Sequence, residues 1–137
     1  MNIELDVSGD GQGLYEITDQ VDDAVHSSGV RDGLANLFIL HTSASLIIQE
    51  NADPAVLSDL ETFLNQLIPE KEELYSHVEE GPDDMPAHIK SALTQTHLTI
   101  PILNRKLALG TWQGIYVWEH RHKRPDRHLI IPVIKNQ

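Results

Sequence analysis

Residues 34–42, LANLFILHT, are almost continuously apolar, and no other stretch limits the fold as strongly. The run is far shorter than the roughly 18 apolar residues of a membrane span. It reads as a central strand covered on both faces, so the rest of the chain must supply the covers. Upstream, Ile3, Leu5 and Val7 alternate with polar neighbours as a half-buried strand, and GLYEIT is a second short strand. TDQVDDAVHSSG reads as a short helix, with Thr18 or Asp19 as cap, Val21 and Val25 one turn apart and Gly29 as the stop. Downstream, SASLIIQEN continues in extended form. Asp53 then caps a helix with Pro54 at its first position, and Val56, Leu57, Leu60, Phe63, Leu64, Leu67 and Ile68 follow at helical spacing up to Pro69.

The stretch from Glu70 to Asp84 carries five glutamates and reads as a long irregular connection, a length that in a compact domain often serves function. Pro86 is expected to open a helix that runs to about Thr94, with Ile89 and Leu93 as its apolar edge. HLTIPI, LALGTWQGIYVWEH and RHLIIPVI are expected as closing strands. Strand clusters with two to three helices between them predict an α+β class: one compact domain over residues 1–137, with mixed or antiparallel sheets in a sandwich- or barrel-like arrangement.

Charge narrows the partners. The formal net charge of −11, from 21 acids and 10 bases, repels nucleic acid and anionic lipid, so neither is expected. Arg121, Lys123, Arg124 and Arg127 form one local basic cluster, and small anions stay open as ligands. With no cysteine, disulfides, thiolate metal sites and cysteine nucleophiles are excluded, and a transition metal must use histidine and carboxylate. The N-terminal residues carry no basic, apolar leader pattern, which leads to the expectation of a cytoplasmic protein.

Eight histidines are many for 137 residues. His26, His97, His122 and His128 have nothing nearby that sets them apart. His41 ends the apolar strand, and in an extended chain shares one face with Ser43, Ser45, Gln49 and Asn51. Such a polar row either faces water or lines a site, because burial without partners is unfavourable. In EEGPDDMPAHIK, Asp84 and His88 stand four apart and would meet on one helical face; Asp84 also suits a helix cap. Alternation in GTWQGIYVWEHR puts Trp112, Tyr116, Trp118 and His120 on one face, with Gln113, Glu119 and Arg121 on the other. For His120 and Arg121 to serve one pocket, a bulge or strand end must therefore intervene. Arg121, Arg124 and Arg127 suit bidentate binding of phosphate or carboxylate. His41, His88 and His120 are candidate zinc-type ligands, although their spacing matches no short ligand signature.

Taken together, HTSASLIIQENADPAV, HVEEGPDDMPAHIKSAL, LALGTWQGIYVWEHR and the following Arg127 resemble the YjbQ family, also named secondary thiamine-phosphate synthase enzymes. The likeness covers roughly residues 33–134; Gln49 stands where many members have Asn. It implies an α+β subunit assembled as a homotrimer, with a pocket built at the His41, Asp84, His88 and His120 positions near a subunit boundary. It also implies a transferase that joins hydroxymethylpyrimidine diphosphate to thiazole phosphate with loss of diphosphate, as a weak secondary activity. On this reading His41, His88 and His120 hold a divalent metal, zinc-like, or magnesium enters with the diphosphate, and no organic cofactor takes part. Asp84 orients His88, and Asp84, His88 and Glu119 carry the chemistry. Ser43, Ser45, Asn51, Arg121 and Arg127 bind substrate or phosphate. Two rival readings keep the same site: a metal-dependent hydrolase or lyase acting on a small phosphorylated metabolite, and a non-catalytic trimeric module that binds a metal or anion.

Overall fold

A computed structural model describes residues 1–123 and 126–137; Arg124 of the basic cluster lies outside them. Its strands are β1 (Asn2–Val7), β2 (Gly13–Glu16), β3 (Gly33–Ile39), β4 (Ala44–Glu50), β5 (His97–Leu103), β6 (Lys106–Leu107), β7 (Gln113–Glu119) and β8 (Arg127–Lys135). Its helices are α1 (Thr18–Ser28), α2 (Pro54–Leu67) and α3 (Asp84–Leu93). Every ladder is antiparallel. Five strands pair in the order β1-β8-β3-β5-β6, and three more in the order β2-β7-β4.

The apolar run is indeed the middle strand of the larger sheet, but this chain covers only one of its faces. Ala35, Leu37 and Ile39 are buried, whereas Leu34 and Phe38 on the opposite face are 37% and 47% exposed, and Leu40 beyond the strand is 49% exposed. The inward set meets Leu98, Ile100 and Ile102 of β5 and Leu129, Ile131 and Val133 of β8. Across from them, Ala44, Leu46, Ile115 and Val117 of the smaller sheet and Val21 and Val25 of α1 complete one core. Burying each Leu, Ile or Val contributes on the order of 1.5–3 kcal/mol, so this layer between the sheets is the main source of stability.

Helix starts differ from expectation where a side chain found a stronger partner than a cap. Ile17 is the N-cap of α1 and makes no side-chain cap bond. Thr18 instead accepts the Ile115 N–H at 2.9 Å, tying α1 to β7. Gly29 closes the helix in the left-handed region, at φ 75°. Asp53 does cap α2, accepting from Ala55 N–H at 2.9 Å with Pro54 next to it. Part of that helix's apolar stripe stays in solvent, however: Leu64 is buried and Val56, Leu57 and Leu60 are half-buried, while Phe63 and Leu67 are exposed. Helix α3 begins two residues before Pro86, and its buried side is Asp84, Pro86, Ala87, Lys90 and Ser91 instead of an Ile89–Leu93 edge. Leu93 is exposed. Polar bonds hold this face down: Ser91 Oγ donates to Ala44 O at 3.1 Å, and Lys90 Nζ to Asn65 Oδ1 at 2.5 Å.

The expected strand LALGTWQGIYVWEH is broken into β6 and β7 by a turn in which Gln113 N–H donates to Gly110 O at 3.1 Å. Trp112 therefore leaves the aromatic row and is exposed, while Tyr116 and Trp118 are buried. Trp118 packs under α2 with Leu64 and Ile68 and donates its indole N–H to Glu61 at 2.7 Å. Among the described residues, none of the helices is long and apolar enough to cross a membrane.

Candidate functional site

The acidic stretch between α2 and α3 is ordered by its own side chains. Tyr75 donates to Pro69 O at 2.8 Å, and a single 3-10 turn spans Glu72–Leu74. Gly81 then takes a φ of +108°, with room for a Cβ only 3.2 Å from Asp83 Oδ1, and this turn delivers the chain into α3. The consequence is a convergence that links the loop to the first turn and a half of the helix. One ligand-type atom from each of His77, Glu80, Asp84 and His88 lies within 4.8 Å of all the others.

Asp84 is the centre of the group. It does not cap α3; the N-cap is Asp83, which makes no side-chain cap bond either. Asp84 Oδ2 stands 2.6 Å from His77 Nε2 and 3.1 Å from His88 Nε2, while Oδ1 accepts from Arg121 Nη1 at 2.7 Å. Glu80 Oε2 is 3.5 Å from His77 Nε2. Burial pushes the Asp84 carboxyl up, but the bonds from His77 and Glu80 and the charges of Arg121 and His88 outweigh it and hold the group below the usual carboxylate range. The same contact with Asp84 raises His77, with partial opposition from desolvation.

His88 shows which species this arrangement suits. Its Nδ1 is 3.0 Å from the Thr42 carbonyl, an acceptor only, so Nδ1 carries the proton. With its Nδ1 proton directed at Thr42, a protonated His88 donates Nε2–H to Asp84 Oδ2, whereas a neutral His88 aims an Nε2 lone pair at the same oxygen; it is the neutral form that suits a cation held between the two. Tetrahedral ligands about 2.0–2.2 Å from a zinc-type ion sit about 3.3–3.6 Å from one another; the 3.1 and 3.5 Å separations are near that spacing, while the 2.6 Å between His77 and Asp84 is a hydrogen-bond distance that an ion would have to widen. The nitrogen-and-oxygen donor set, without sulfur, fits Zn²⁺, Mn²⁺, Fe²⁺ or Co²⁺.

His41 and His120, the other two expected metal ligands, do not join this group. His41 Nε2 accepts the His128 backbone N–H at 2.9 Å, and its Nδ1 lies 3.3 Å from Arg127 Nη1. His120 is 1% exposed, with Nε2 2.9 Å from Ser45 Oγ; its buried Nδ1 has no hydrogen-bond partner among the described residues. Desolvation, then the charges of Lys90 and Arg127, lower it to about 3, so His120 is a neutral interior group. His77 is the candidate ligand that sequence reasoning passed over. The signal was there, in a histidine seven residues before Asp84 within the same loop.

The expected phosphate-binding residues are largely engaged elsewhere. Arg127 is 1% exposed and forms a two-pronged pair with Glu119, Nε to Oε1 and Nη2 to Oε2, both at 2.6 Å. Its Nη2 also reaches Ser43 Oγ at 3.0 Å. This pair is a buried brace between β7, β8 and the β3–β4 turn, and neither partner faces the cluster's solvent side. Arg121 lies two residues past Glu119, the end of β7. It donates from Nε to Asp83 at 3.1 Å, from Nη1 to Asp84 at 2.7 Å and from Nη2 to Glu80 O at 3.0 Å. Asn51 lies at the far end of β4, where its amide meets Glu16 at 3.3 Å. The structure thus assembles Asp84, His88 and Arg121 directly, joins Glu119 to them through its 3.0 Å bond from the Arg121 N–H, and leaves Ser45, His120 and Asn51 outside.

Known proteins share this chain's sequence and fold along nearly its whole length. A family model described as UPF0047 protein YjbQ-like matches residues 3–136. A UPF0047 protein of Synechocystis sp. is 52% identical over 129 residues, covering 94% of this chain and 88% of that protein. The YjbQ protein of Escherichia coli O157:H7 is 39% identical over 127 residues, 92% and 91% of the two chains. Among solved structures, a YjbQ/UPF0047 family protein from Clostridium acetobutylicum superposes with a TM-score of 0.84 at 42% identity, over 98% of this chain and 99% of that one. A conserved hypothetical protein, TT1486 from Thermus thermophilus, gives 0.86 at 33% identity, over 96% and 99%. With sequence and fold in agreement across these relatives, the chain belongs to the YjbQ-like UPF0047 family.

Proposed function

We propose that the chain is a metal-dependent enzyme acting on a small phosphorylated metabolite, with the ion held by His77, Asp84 and His88 and reached by Glu80. The observation that carries this reading is the position of Asp84 Oδ2 between two imidazoles, one of which has its Nδ1 proton fixed by the Thr42 carbonyl. An ion there would neutralise phosphate charge and polarise either a bound water or a departing phosphate oxygen.

The protein's own part is positional. Thr42 sets the tautomer of His88, Arg121 fixes Asp84, and Gly81 allows the turn that brings His77 to the helix start. Beside His88, a groove of about 260 Å³ lined by Thr42, Ser91, Ala92 and Thr96 offers a place for the uncharged body of a small substrate.

Transfer with loss of diphosphate, the thiamine-phosphate reaction that the family resemblance implies, fits the site if the ion carries the leaving group. The ring nitrogen of thiazole phosphate would form the new C–N bond as the C–O bond to diphosphate breaks and diphosphate departs with the electron pair. Arginine-led stabilisation is the weaker form of this reading, because Arg121 and Arg127 are already engaged by carboxylates. Hydrolysis by a polarised water is the second reading, and the exposed side of His77 and Glu80 supports it by leaving the cluster open to solvent. A homotrimer is part of the proposal. The bare outer face carrying Leu34, Phe38, Leu40 and Ile134 supports self-association through apolar burial.

Native mass spectrometry of untagged protein gives subunit number and bound metal together. Turnover is then measured on hydroxymethylpyrimidine diphosphate with thiazole phosphate, and on a panel of phosphate esters, with and without chelator. Metal-dependent turnover that is lost in His88→Ala supports the reading; turnover indifferent to chelator overturns it.

A further inference from the structure

Arg121 looks at first like a substrate-binding arginine: it is cationic, one-fifth exposed and beside the cluster. Its hydrogen bonds place it differently. Each of its three guanidinium nitrogens donates to a protein acceptor, Nε to Asp83 Oδ2 at 3.1 Å, Nη1 to Asp84 Oδ1 at 2.7 Å and Nη2 to the Glu80 carbonyl at 3.0 Å. Asp83 is itself held by the His122 backbone N–H at 2.9 Å. These acceptors lie within one five-residue stretch, residues 80–84, on either side of the Gly81 turn. Asp83 and Asp84 start α3, whereas Glu80 sits in the loop that also bears His77.

The bonds divide Asp84 by oxygen. Oδ1 faces the guanidinium and Oδ2 faces both imidazoles. With Oδ1 fixed, rotation of the carboxylate that would turn Oδ2 away from His77 and His88 breaks a charge-assisted bond. The Arg121 backbone is fixed in turn, because its N–H donates to Glu119 Oε2 at 3.0 Å, and Glu119 is locked to Arg127 in the buried brace. A continuous chain of bonds therefore runs from the strand ends of the sandwich to the oxygen at the centre of the cluster.

Resting on the metal reading above, we infer that Arg121 is the positioning residue of the site. It assembles the ligand set by clamping the loop carrying His77 and Glu80 to the helix carrying Asp84 and His88, and it aims Asp84 Oδ2 at the ion. It does not bind the substrate's phosphate. The planar fork is needed because three acceptors in different directions are engaged at once, and a lysine ammonium cannot span them.

The test compares wild type, R121M and R121K, all untagged, in two states. In metal-free protein, the imidazole ¹⁵N shifts of His77 and His88 report whether their Nε2 atoms still meet Asp84. In a second experiment, Zn²⁺ affinity is measured by competition with a chromogenic chelator. The inference expects both histidines' Nε2 signals to move in R121M, with Zn²⁺ affinity falling about 10- to 100-fold, the usual consequence of losing an outer partner of a ligand. R121K should recover at most part of either change, while urea midpoints of the metal-free proteins stay close together. Unchanged imidazole signals together with Zn²⁺ affinity within about twofold of wild type would overturn the inference, since an outer partner's loss normally costs far more. So would loss of inorganic phosphate binding in R121M with imidazole signals that do not move, since that result makes Arg121 a phosphate ligand. If wild type takes up no Zn²⁺, the metal reading fails, and the metal-free imidazole signals alone decide the role of Arg121.

Discussion

His120 lends itself to a quantitative test, because its ring is buried, neutral and inside the fold's polar seam. It is 1% exposed, and desolvation together with the charges of Lys90 and Arg127 lowers it to about 3 from an ordinary 6.5. In the unfolded chain the imidazole takes up a proton as pH falls below about 6.5, while in the folded chain it resists until about 3. The unfolded state therefore binds more protons throughout that window, and stability falls as pH falls. At 1.36 kcal/mol per unit, lowering pH from 7.5 to 5 removes about 2 kcal/mol through His120 alone. His77 works in the opposite direction, because its raised pKa makes it a stabilising group at low pH whose contribution is lost as pH rises. Asp83 and Asp84, both lowered from 3.8, titrate below the window. The His120 contribution is thus read as a difference between wild type and H120Q, whose amide still reaches toward Ser45 but does not titrate. Urea unfolding is followed by tryptophan fluorescence at one protein concentration in the presence of chelator. On going from pH 7.5 to pH 5, H120Q should start less stable and lose about 2 kcal/mol less than wild type. Parallel losses in the two proteins would show that His120 is solvated or charged in the folded state, and the burial argument would fail.

The remaining expectations concern the cluster and its supports. Calorimetric titration with Zn²⁺ should show H77A and D84N losing more than the roughly 10- to 100-fold typical of an outer partner, while H41A stays near wild type; an equal loss in H41A would restore the three-histidine arrangement. R127M takes the guanidinium away from the buried Glu119 carboxylate and should lower stability by about 3–5 kcal/mol, whereas R127M with E119Q should recover part of that in the same urea assay. G81A forces a side chain into a φ of +108°, 3.2 Å from Asp83; a stability loss of about 1–3 kcal/mol and weaker Zn²⁺ binding should follow.

Those parts of the fold whose cause is local were legible in the sequence. Asp53 with Pro54, the stop at Gly29 and the alternation of Ile3, Leu5 and Val7 all depend on neighbours a few residues away, and all are present. Coverage of β3 was not legible, because an apolar run has the same composition whether its second face is covered by its own chain or left bare. The α2 stripe misled for the same reason: periodicity marks a face, but only the tertiary arrangement decides that Leu64 is buried and Phe63 is not. At the site, the four-residue spacing of Asp84 and His88 held, since a helix fixes it. His77 depended on a non-helical loop folding back over seven residues, which no periodicity encodes. A break between His120 and Arg121 was required only if both served one pocket; β7 ends at Glu119, before either residue, and the two side chains go to different partners, His120 to Ser45 and Arg121 to Asp83 and Asp84.

The fate of the arginines follows from the chain's charge. On a protein with a net charge of −11, carboxylates outnumber the cations available to them, and any arginine near an acidic loop is claimed by side chains already in place. Arg121 meets Asp83 and Asp84, and Arg127 meets Glu119. A residue type that suits phosphate therefore says little about phosphate binding until the competing internal acceptors are counted. Here the count leaves a region dominated by Glu80, Asp83, Asp84 and Glu119, a field that repels a phosphate group at close range. Lys90 cannot offset it at the surface, because it is 1% exposed and directed to Asn65. On the proposed metal reading, two imidazoles and a carboxylate around one point would turn the same acidic field to use, since that field would attract a divalent cation to the position from which the cation would hold an anionic substrate.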